Sequence, residues 1–167
     1  MNYPHSEELK QALEESKKIL LSCHSRPDAD SVGSAQAMRQ LVLTWNKEAS
    51  VICADKLPNS LKFLGAYGEI KEVAFRNFDF SAWDVMLCMD SSSWQRVAAD
   101  STMPRPSIKM IVIDHHKTNT HFGDINLIDP DIGANCQLLF NLFNDWHVDL
   151  KQEALATPLL AGIIGDT

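Results

Sequence analysis

Five aspartates and three histidines stand where they could act together. His24, Asp28 and Asp30 lie in Cys23-His24-Ser25-Arg26-Pro27-Asp28-Ala29-Asp30-Ser31-Val32-Gly33-Ser34; Asp90 precedes three serines; Asp114 runs into His115-His116; Asp166 lies in Gly165-Asp166-Thr167. Imidazoles and carboxylates without thiolates suit Mn²⁺, Fe or Co²⁺, and suit Zn²⁺ less well. The set exceeds what one cation needs. Two cations roughly 3.5 to 4 Å apart, bridged by a carboxylate, would use it, and that arrangement serves in-line displacement at phosphorus. Asp28 and Asp30 would repel one another unless a cation or a proton sat between them. Each residue also has a plainer reading. Asp-Ala-Asp-Ser after a proline is ordinary turn and capping chemistry, paired histidines satisfy local hydrogen bonds, Asp90 can cap a helix and Asp166 can close one. The functional reading gains from coincidence, because several of these residues directly follow apolar strands. His5, His121 and His147 lie outside the set and receive no role.

The elements that must position these residues follow from periodicity. Ile19-Leu20-Leu21 reads as a buried strand, and Ala35, Met38, Leu41 and Leu43 place a helix over 34–46. The first acidic loop therefore joins a strand to a helix, where ligands bind in open α/β sheets. Within it, Pro27 biases Arg26 toward an extended backbone, Gly33 allows a tight path into the helix, and Ser31 or Ser34 caps that helix. An amphipathic helix over 6–18 precedes it, carrying Leu9, Ala12 and Leu13 on one face. Ala49 to Cys53 reads as the next strand, Pro58-Asn59-Ser60 opens one or two helical turns, and a short strand lies near Ile70 to Val73. Asp84 to Asp90 and Ile108 to Asp114 are apolar until they end in acids, which indicates central parallel strands covered on both faces. Gly133 to Trp146 and Lys151 to Ile164 carry helical patterns. The alternation predicts an α/β fold with a mostly parallel central sheet and helices on both faces.

The chain has 167 residues, 45% of them hydrophobic, which is enough for one sizeable core and too few for two ordinary domains. A net charge of −7 argues against a basic surface tracking long duplex nucleic acid. Small anionic substrates stay compatible, since bound divalent cations dominate the local field. Cys23, Cys53, Cys88 and Cys136 include no C-x-x-C pair and read as small buried hydrophobes in a reducing compartment. There is neither a membrane-length apolar run nor a signal-peptide pattern, and the expected location is the cytoplasm. Neither G-x-G-x-x-G nor G-x-x-x-x-G-K-[ST] occurs, which disfavours dinucleotide-cofactor enzymes and P-loop NTPases.

His24-x-x-x-Asp28-x-Asp30, Asp90 after an apolar strand, Asp114-His115-His116 and Gly165-Asp166-Thr167 resemble, in order and spacing, the motifs of the DHH phosphoesterase superfamily. Pro58 to Leu64, Asp114 to Asn119, Phe122 to Asn126 and Asp129 look most like its oligoribonuclease and pAp (adenosine 3′,5′-bisphosphate) phosphatase, or nanoRNase, branch. The resemblance implies that residues 1–167 are the catalytic domain, which a smaller DHH-associated substrate-binding domain follows in a longer natural protein. It implies two Mn²⁺ ions, with Mg²⁺ or Co²⁺ as substitutes. One would be held by His24, Asp28 and Asp90, and the other by Asp30, Asp90, His115 and Asp166. His116 would face the scissile phosphate and Asp114 would orient a histidine. The family's first motif commonly has Asn before the proline and Gly between the acids, where this chain has Arg26 and Ala29; Arg26 then becomes a candidate phosphate contact.

The expected function is Mn²⁺-dependent hydrolysis of short oligoribonucleotides and removal of a phosphate from pAp. The expected partners are those oligoribonucleotides or small nucleotide phosphates, with no membrane and with a homodimer left open. Rivals in the same class are cyclic-dinucleotide phosphodiesterase, inorganic pyrophosphatase and single-strand DNA exonuclease. The rival from another class is an inactive nucleotide- or anion-binding module.

Overall fold

The computed structural model describes residues 3–167. Six strands form one sheet in the order β3-β2-β1-β4-β5-β6, and every pairing is parallel. In chain order the elements are α1 (Ser6–Glu15), β1 (Lys18–Ser22), α2 (Ala29–Thr44), β2 (Glu48–Cys53), β3 (Lys71–Glu72), β4 (Val85–Met89), α3 (Trp94–Ala98), β5 (Lys109–Asp114), β6 (Ile125–Ile128), α4 (Asn135–Asp145) and α5 (Glu153–Asp166). Short 3₁₀ turns at Asn59–Leu61, Tyr67–Glu69, Phe75–Asn77 and Phe80–Ala82 fill the connections around β3.

The apolar runs are explained by what covers the sheet. Ile19, Leu21, Val85, Leu87, Ile111 and Ile113 point to one face and pack with α1, α2, α4 and α5, including Leu9, Leu13, Met38, Leu139, Phe143 and Leu159. Leu20, Met86, Cys88, Met110 and Val112 point to the other, where Phe75, Trp94, Val97 and Met103 cover them. Both faces are closed, one by four helices and the other by α3 and aromatic 3₁₀ turns. The parallel α/β fold expected from the alternation of elements is therefore present, with most of its helix on one side. All four cysteines are free and buried. Among the described residues no helix is long and apolar enough to cross a membrane.

The strand order carries the functional consequence. From β1 the chain moves outward to β2 and β3, then returns to β4 on the other side of β1. The crossovers above β1 and β4 diverge and leave a crevice between the carboxyl ends of the two strands, the usual place for a ligand in such sheets.

Several local expectations are corrected. Helix α2 begins at Ala29, five residues before the expected 34, and its N-cap is Asp28, whose Oδ1 accepts from Ser31 N at 2.9 Å; a carboxylate is as good a cap as the serines expected there. Gly33 is consequently inside the helix, and its value lies in packing: a β-carbon there would run into the Pro158 carbonyl of α5. Arg26 is left-handed at φ 53°, not extended, with its N–H turned onto Asp55 Oδ2 at 2.7 Å. Asn, usual at this position in the family that the motifs resemble, tolerates positive φ better than Arg. Helix α1 stops at Glu15, and Asp166 lies in the last turn of α5, beyond the expected end at Ile164. The cap of α3 is Ser93, not Asp90. Strand β6, helix α3 and most of the 3₁₀ turns had no sequence-based prediction. Each is short, and β6 sits at the sheet edge where only every second residue is buried.

Candidate metal centre

All the candidate residues reach one rim, at the carboxyl ends of β1, β4 and β5 and the last turn of α5. His24 follows β1 and is buried, with Nδ1 donating to Ser25 O at 2.8 Å and Nε2 at 3.2 Å from Asp28 Oδ2 and 3.4 Å from Asp90 Oδ2. His115 follows β5, with Nδ1 3.3 Å from Ile132 O and Nε2 3.4 Å from Asp90 Oδ1, 3.3 Å from Asp166 Oδ2 and 3.9 Å from Asp30 Oδ2. In both rings a carbonyl takes the Nδ1 proton, which leaves Nε2 turned to the carboxylates, the orientation metal-bound imidazoles adopt. His116 is different. Its Nδ1 lies 2.7 Å from Asp114 Oδ1, so that nitrogen is committed to a buried carboxylate.

Asp90 is the hub. It is buried, held at φ 52° in the left-handed region, and in ion-pair range of all three rings. Positive φ is uncommon for a residue other than Gly and clusters at functional positions. Asp90 N donates to Ile113 O at 2.9 Å. The buried Asn135 amide, with its nitrogen toward Ile113 O, accepts from Asp90 N and Ser34 Oγ, each at 3.2 Å. Asp30 takes its place from α4, since its carboxylate accepts from Asn135 N at 2.5 Å and Cys136 N at 2.8 Å, the exposed amides of that helix's first turn. Asp166 arrives because α5 lies against α2 through small residues. A β-carbon on Gly165 would come 2.7 Å from that of Ala29, and one on Gly162 would come 2.7 Å from Asp30 Oδ1.

Ligand atoms of His24, Asp28 and Asp90 lie within 4.8 Å of one another, as do those of Asp30, His115 and Asp166, and those of Asp90, His115 and His116. Asp90 Oδ1 and His115 Nε2 are buried atoms with no hydrogen-bond partner, although they face each other. Leaving such atoms unsatisfied is costly, and a cation would satisfy both. The donor chemistry and the orphaned pair therefore fit a metal.

The electrostatics agree. Burial disfavours charge on His24, yet the carboxylates of Asp28 and Asp90 raise its pKa from 6.5 to about 10. The Asp90 carboxylate carries that of His115 to about 9. Burial raises Asp30 to about 6, and the neighbouring Asp90 adds to the rise. Burial works against the Asp90 anion as well, but His115 and His24 hold its carboxyl well below the usual range. Every raised value means that the folded, metal-free protein holds a proton its unfolded chain would release. The stabilisation from the two histidines is complete below pH 6.5 and is lost as pH rises through about 9 and 10. Melts of chelator-treated protein should show Tm falling across that window. Calorimetry at pH 7 in buffers of different ionisation enthalpy should show protons released on Mn²⁺ binding, and affinity should rise with pH. Pairing of protons and cation uptake that stayed independent of pH would contradict the ligand set.

Asn119 and Asn135 had no assigned role from sequence. Asn119 Nδ2 donates to Asp114 Oδ2 at 2.6 Å and to Ser91 O at 3.0 Å, so Asp114 is fixed on one side by Asn119 and on the other by His116. The signal for Asn119 was its place five residues after Asp114; for Asn135, only its place in the first turn of an apolar helix. Asn119→Ala should lower turnover roughly 10–100-fold, the usual cost of losing a supporting partner. Cation affinity should change little, because neither Asn119 nor Asp114 belongs to any of the three ligand clusters; steady-state rates beside calorimetry separate the two effects.

A six-stranded parallel sheet with acids and imidazoles gathered at its switch point makes this an α/β domain with a candidate metal-binding rim. The chain belongs to the DHH family: residues 18–163 match that family's N-terminal domain. It is 31% identical over 149 residues to the bifunctional oligoribonuclease and PAP phosphatase NrnA of Thermus thermophilus, covering 89% of this chain and 43% of that protein. It is 25% identical over 154 residues to the protein of that name from Bacillus subtilis, covering 89% and 46%. Its fold is similar to that of an exopolyphosphatase-related protein from Bacteroides fragilis, with a TM-score of 0.82 at 23% identity over 96% of this chain and 49% of that one. The chain spans less than half the length of each.

Proposed function

We propose that this chain is the catalytic domain of a Mn²⁺-dependent phosphohydrolase that degrades short oligoribonucleotides and dephosphorylates pAp, working with a DHH-associated domain beyond these residues. The observation that carries the reading is the buried pair Asp90 Oδ1 and His115 Nε2, 3.4 Å apart and without hydrogen bonds, at the meeting point of two ligand clusters. Similarity to two proteins named bifunctional oligoribonuclease and PAP phosphatase supports the choice of substrates.

In this reading His24, Asp28 and Asp90 hold one cation, and Asp30, Asp90, His115 and Asp166 hold the other. When bound, the two cations lower the pKa of attacking water and offset charge on the phosphoryl oxygens. The chain's own residues do the rest. Asp114, locked by Asn119, holds His116 through Nδ1 and raises its pKa, which favours the protonated ring, and His116 presents its exposed edge to the phosphate or the leaving oxygen. Asn135 and the left-handed backbone at position 90 keep the shared carboxylate in place. No side chain has to act as nucleophile.

The test is turnover by the full-length protein of a diribonucleotide and of pAp, with Mn²⁺ and with EDTA. Hydrolysis of both that EDTA abolishes and Mn²⁺ restores is the expected result. Metal-independent turnover, or none on either substrate, would sink the reading.

A further inference from the structure

The loop that delivers His24 and Asp28 is bracketed by two arginines with unusual freedom. Among the described residues five arginines are present. Arg39 pairs with Glu69, Arg76 with Asp100 and Arg105 with Asp124. The guanidinium groups of Arg26 and Arg96 have neither an ion pair nor a hydrogen bond, in a chain that carries a net charge of −7 and so has acids to spare. Both sit on segments that follow candidate ligands. Arg26 lies two residues after His24, and Arg96 lies six after Asp90.

The backbone ties the two segments together. Ser25 N donates to Arg96 O at 2.8 Å, which sets the residue before Arg26 against the first turns after Asp90. Arg26 is itself held at φ 53°, its N–H bound to Asp55 Oδ2 at 2.7 Å, so its backbone is fixed although its side chain is exposed. An unpaired guanidinium on a fixed backbone beside this loop is free to take an anion. The natural partner of two such forks is a phosphate, which each can engage bidentately.

We infer that Arg26 and Arg96 form a second phosphate subsite, which takes the non-scissile phosphate of the substrate. The inference rests on the function proposed above and narrows it. The preferred substrate is a nucleoside that carries two phosphates, one presented to the metal centre and one to the arginines. This class covers pAp and a 5′-phosphorylated dinucleotide alike. Nucleoside monophosphates, which reach only one of the two positions, are poor substrates. The acids that dominate this rim would otherwise repel a second anionic group. Two guanidinium groups in the subsite would offset them.

The experiment compares pAp with adenosine 3′-monophosphate, which shares the scissile 3′-phosphate and lacks the 5′ one. Wild-type full-length protein should favour pAp in kcat/KM. Arg96→Ala and Arg26→Ala should each cut the ratio of the two kcat/KM values by roughly 10–100-fold, the worth of hydrogen bonds to a charged group. Arg96→Lys, which keeps the charge without the fork, should retain part of the preference. Arg76→Ala, whose guanidinium is already paired with Asp100, should leave the ratio unchanged. A ratio within about twofold of wild type in both alanine variants overturns the inference. Binding of adenosine 5′-monophosphate, followed by calorimetry, is the readout that does not depend on turnover. It should weaken by a similar factor in both alanine variants, and unchanged affinity overturns the subsite. If wild type cleaved neither nucleotide, the proposed function would fail, while this binding result would still decide for or against the arginines.

Discussion

Asp90→Asn is expected to fold and to lose hydrolysis of pAp by more than the roughly 100-fold that removal of an outer partner can cost. Two arguments lead there. The carboxylate belongs to the cluster with His24 and Asp28 and faces His115 of the other, and it is the one group that the two proposed cation positions share. The fold should survive, because Asn is among the few residues that accept the left-handed backbone recorded at φ 52°, and the backbone hydrogen bonds of position 90 do not involve the side chain. Circular dichroism and thermal melts would show an intact protein, while Mn²⁺ titration would show weaker uptake at both positions. A variant that kept a tenth of wild-type turnover would rule out Asp90 as the shared ligand.

Gly33→Ala is expected to destabilise the protein and to separate Asp166 from the other ligands. Alanine normally gains about 1 kcal/mol over glycine inside a helix. Here the added carbon would run into the Pro158 carbonyl and approach Cys136 Sγ to 3.2 Å. The first of these is main chain and cannot swing away, so α2 and α5 must part. Overpacking of this kind costs about 1–3 kcal/mol. At roughly 2–4 °C per kcal/mol for a domain of this size, Tm should fall by up to about 8 °C once the propensity gain is subtracted. Activity should fall further than the melt alone explains, because α5 carries Asp166. A variant as stable and as active as wild type would show that the two helices tolerate a wider spacing.

Much of this was legible in the sequence, for reasons that can be named. Apolar runs such as Val85–Met89 and Lys109–Asp114 announce central parallel strands, and the residues that follow them fall on one rim because parallel strands all end at the same edge. That logic places His24, Asp28, Asp90, Asp114 and His115 together with no knowledge of strand order. Asp166 was different. It comes from a helix, and its arrival depends on Gly33, Gly162 and Gly165 permitting close contact, which no periodicity reveals. The left-handed backbones at Arg26 and Asp90 were invisible as well, since each follows from a tertiary hydrogen-bond arrangement and not from the residue's own preference. Asn135 acts through a partner far from it in sequence, Asp90, and such a pairing leaves no local pattern.

The span of the ligand set, from His24 to Asp166, bears on the denatured state. Once unfolded, the chain keeps only the local sets His24, Asp28, Asp30 and Asp114-His115-His116, and loses the meeting of both with Asp90 and Asp166. Cation occupancy is then linked to the native ensemble by mass action: each ion present at a hundred times its dissociation constant deepens the native well by about 2.7 kcal/mol. Under the proposed function, Mn²⁺ supply would thereby set the protein's resistance to proteolytic turnover as well as its rate of catalysis.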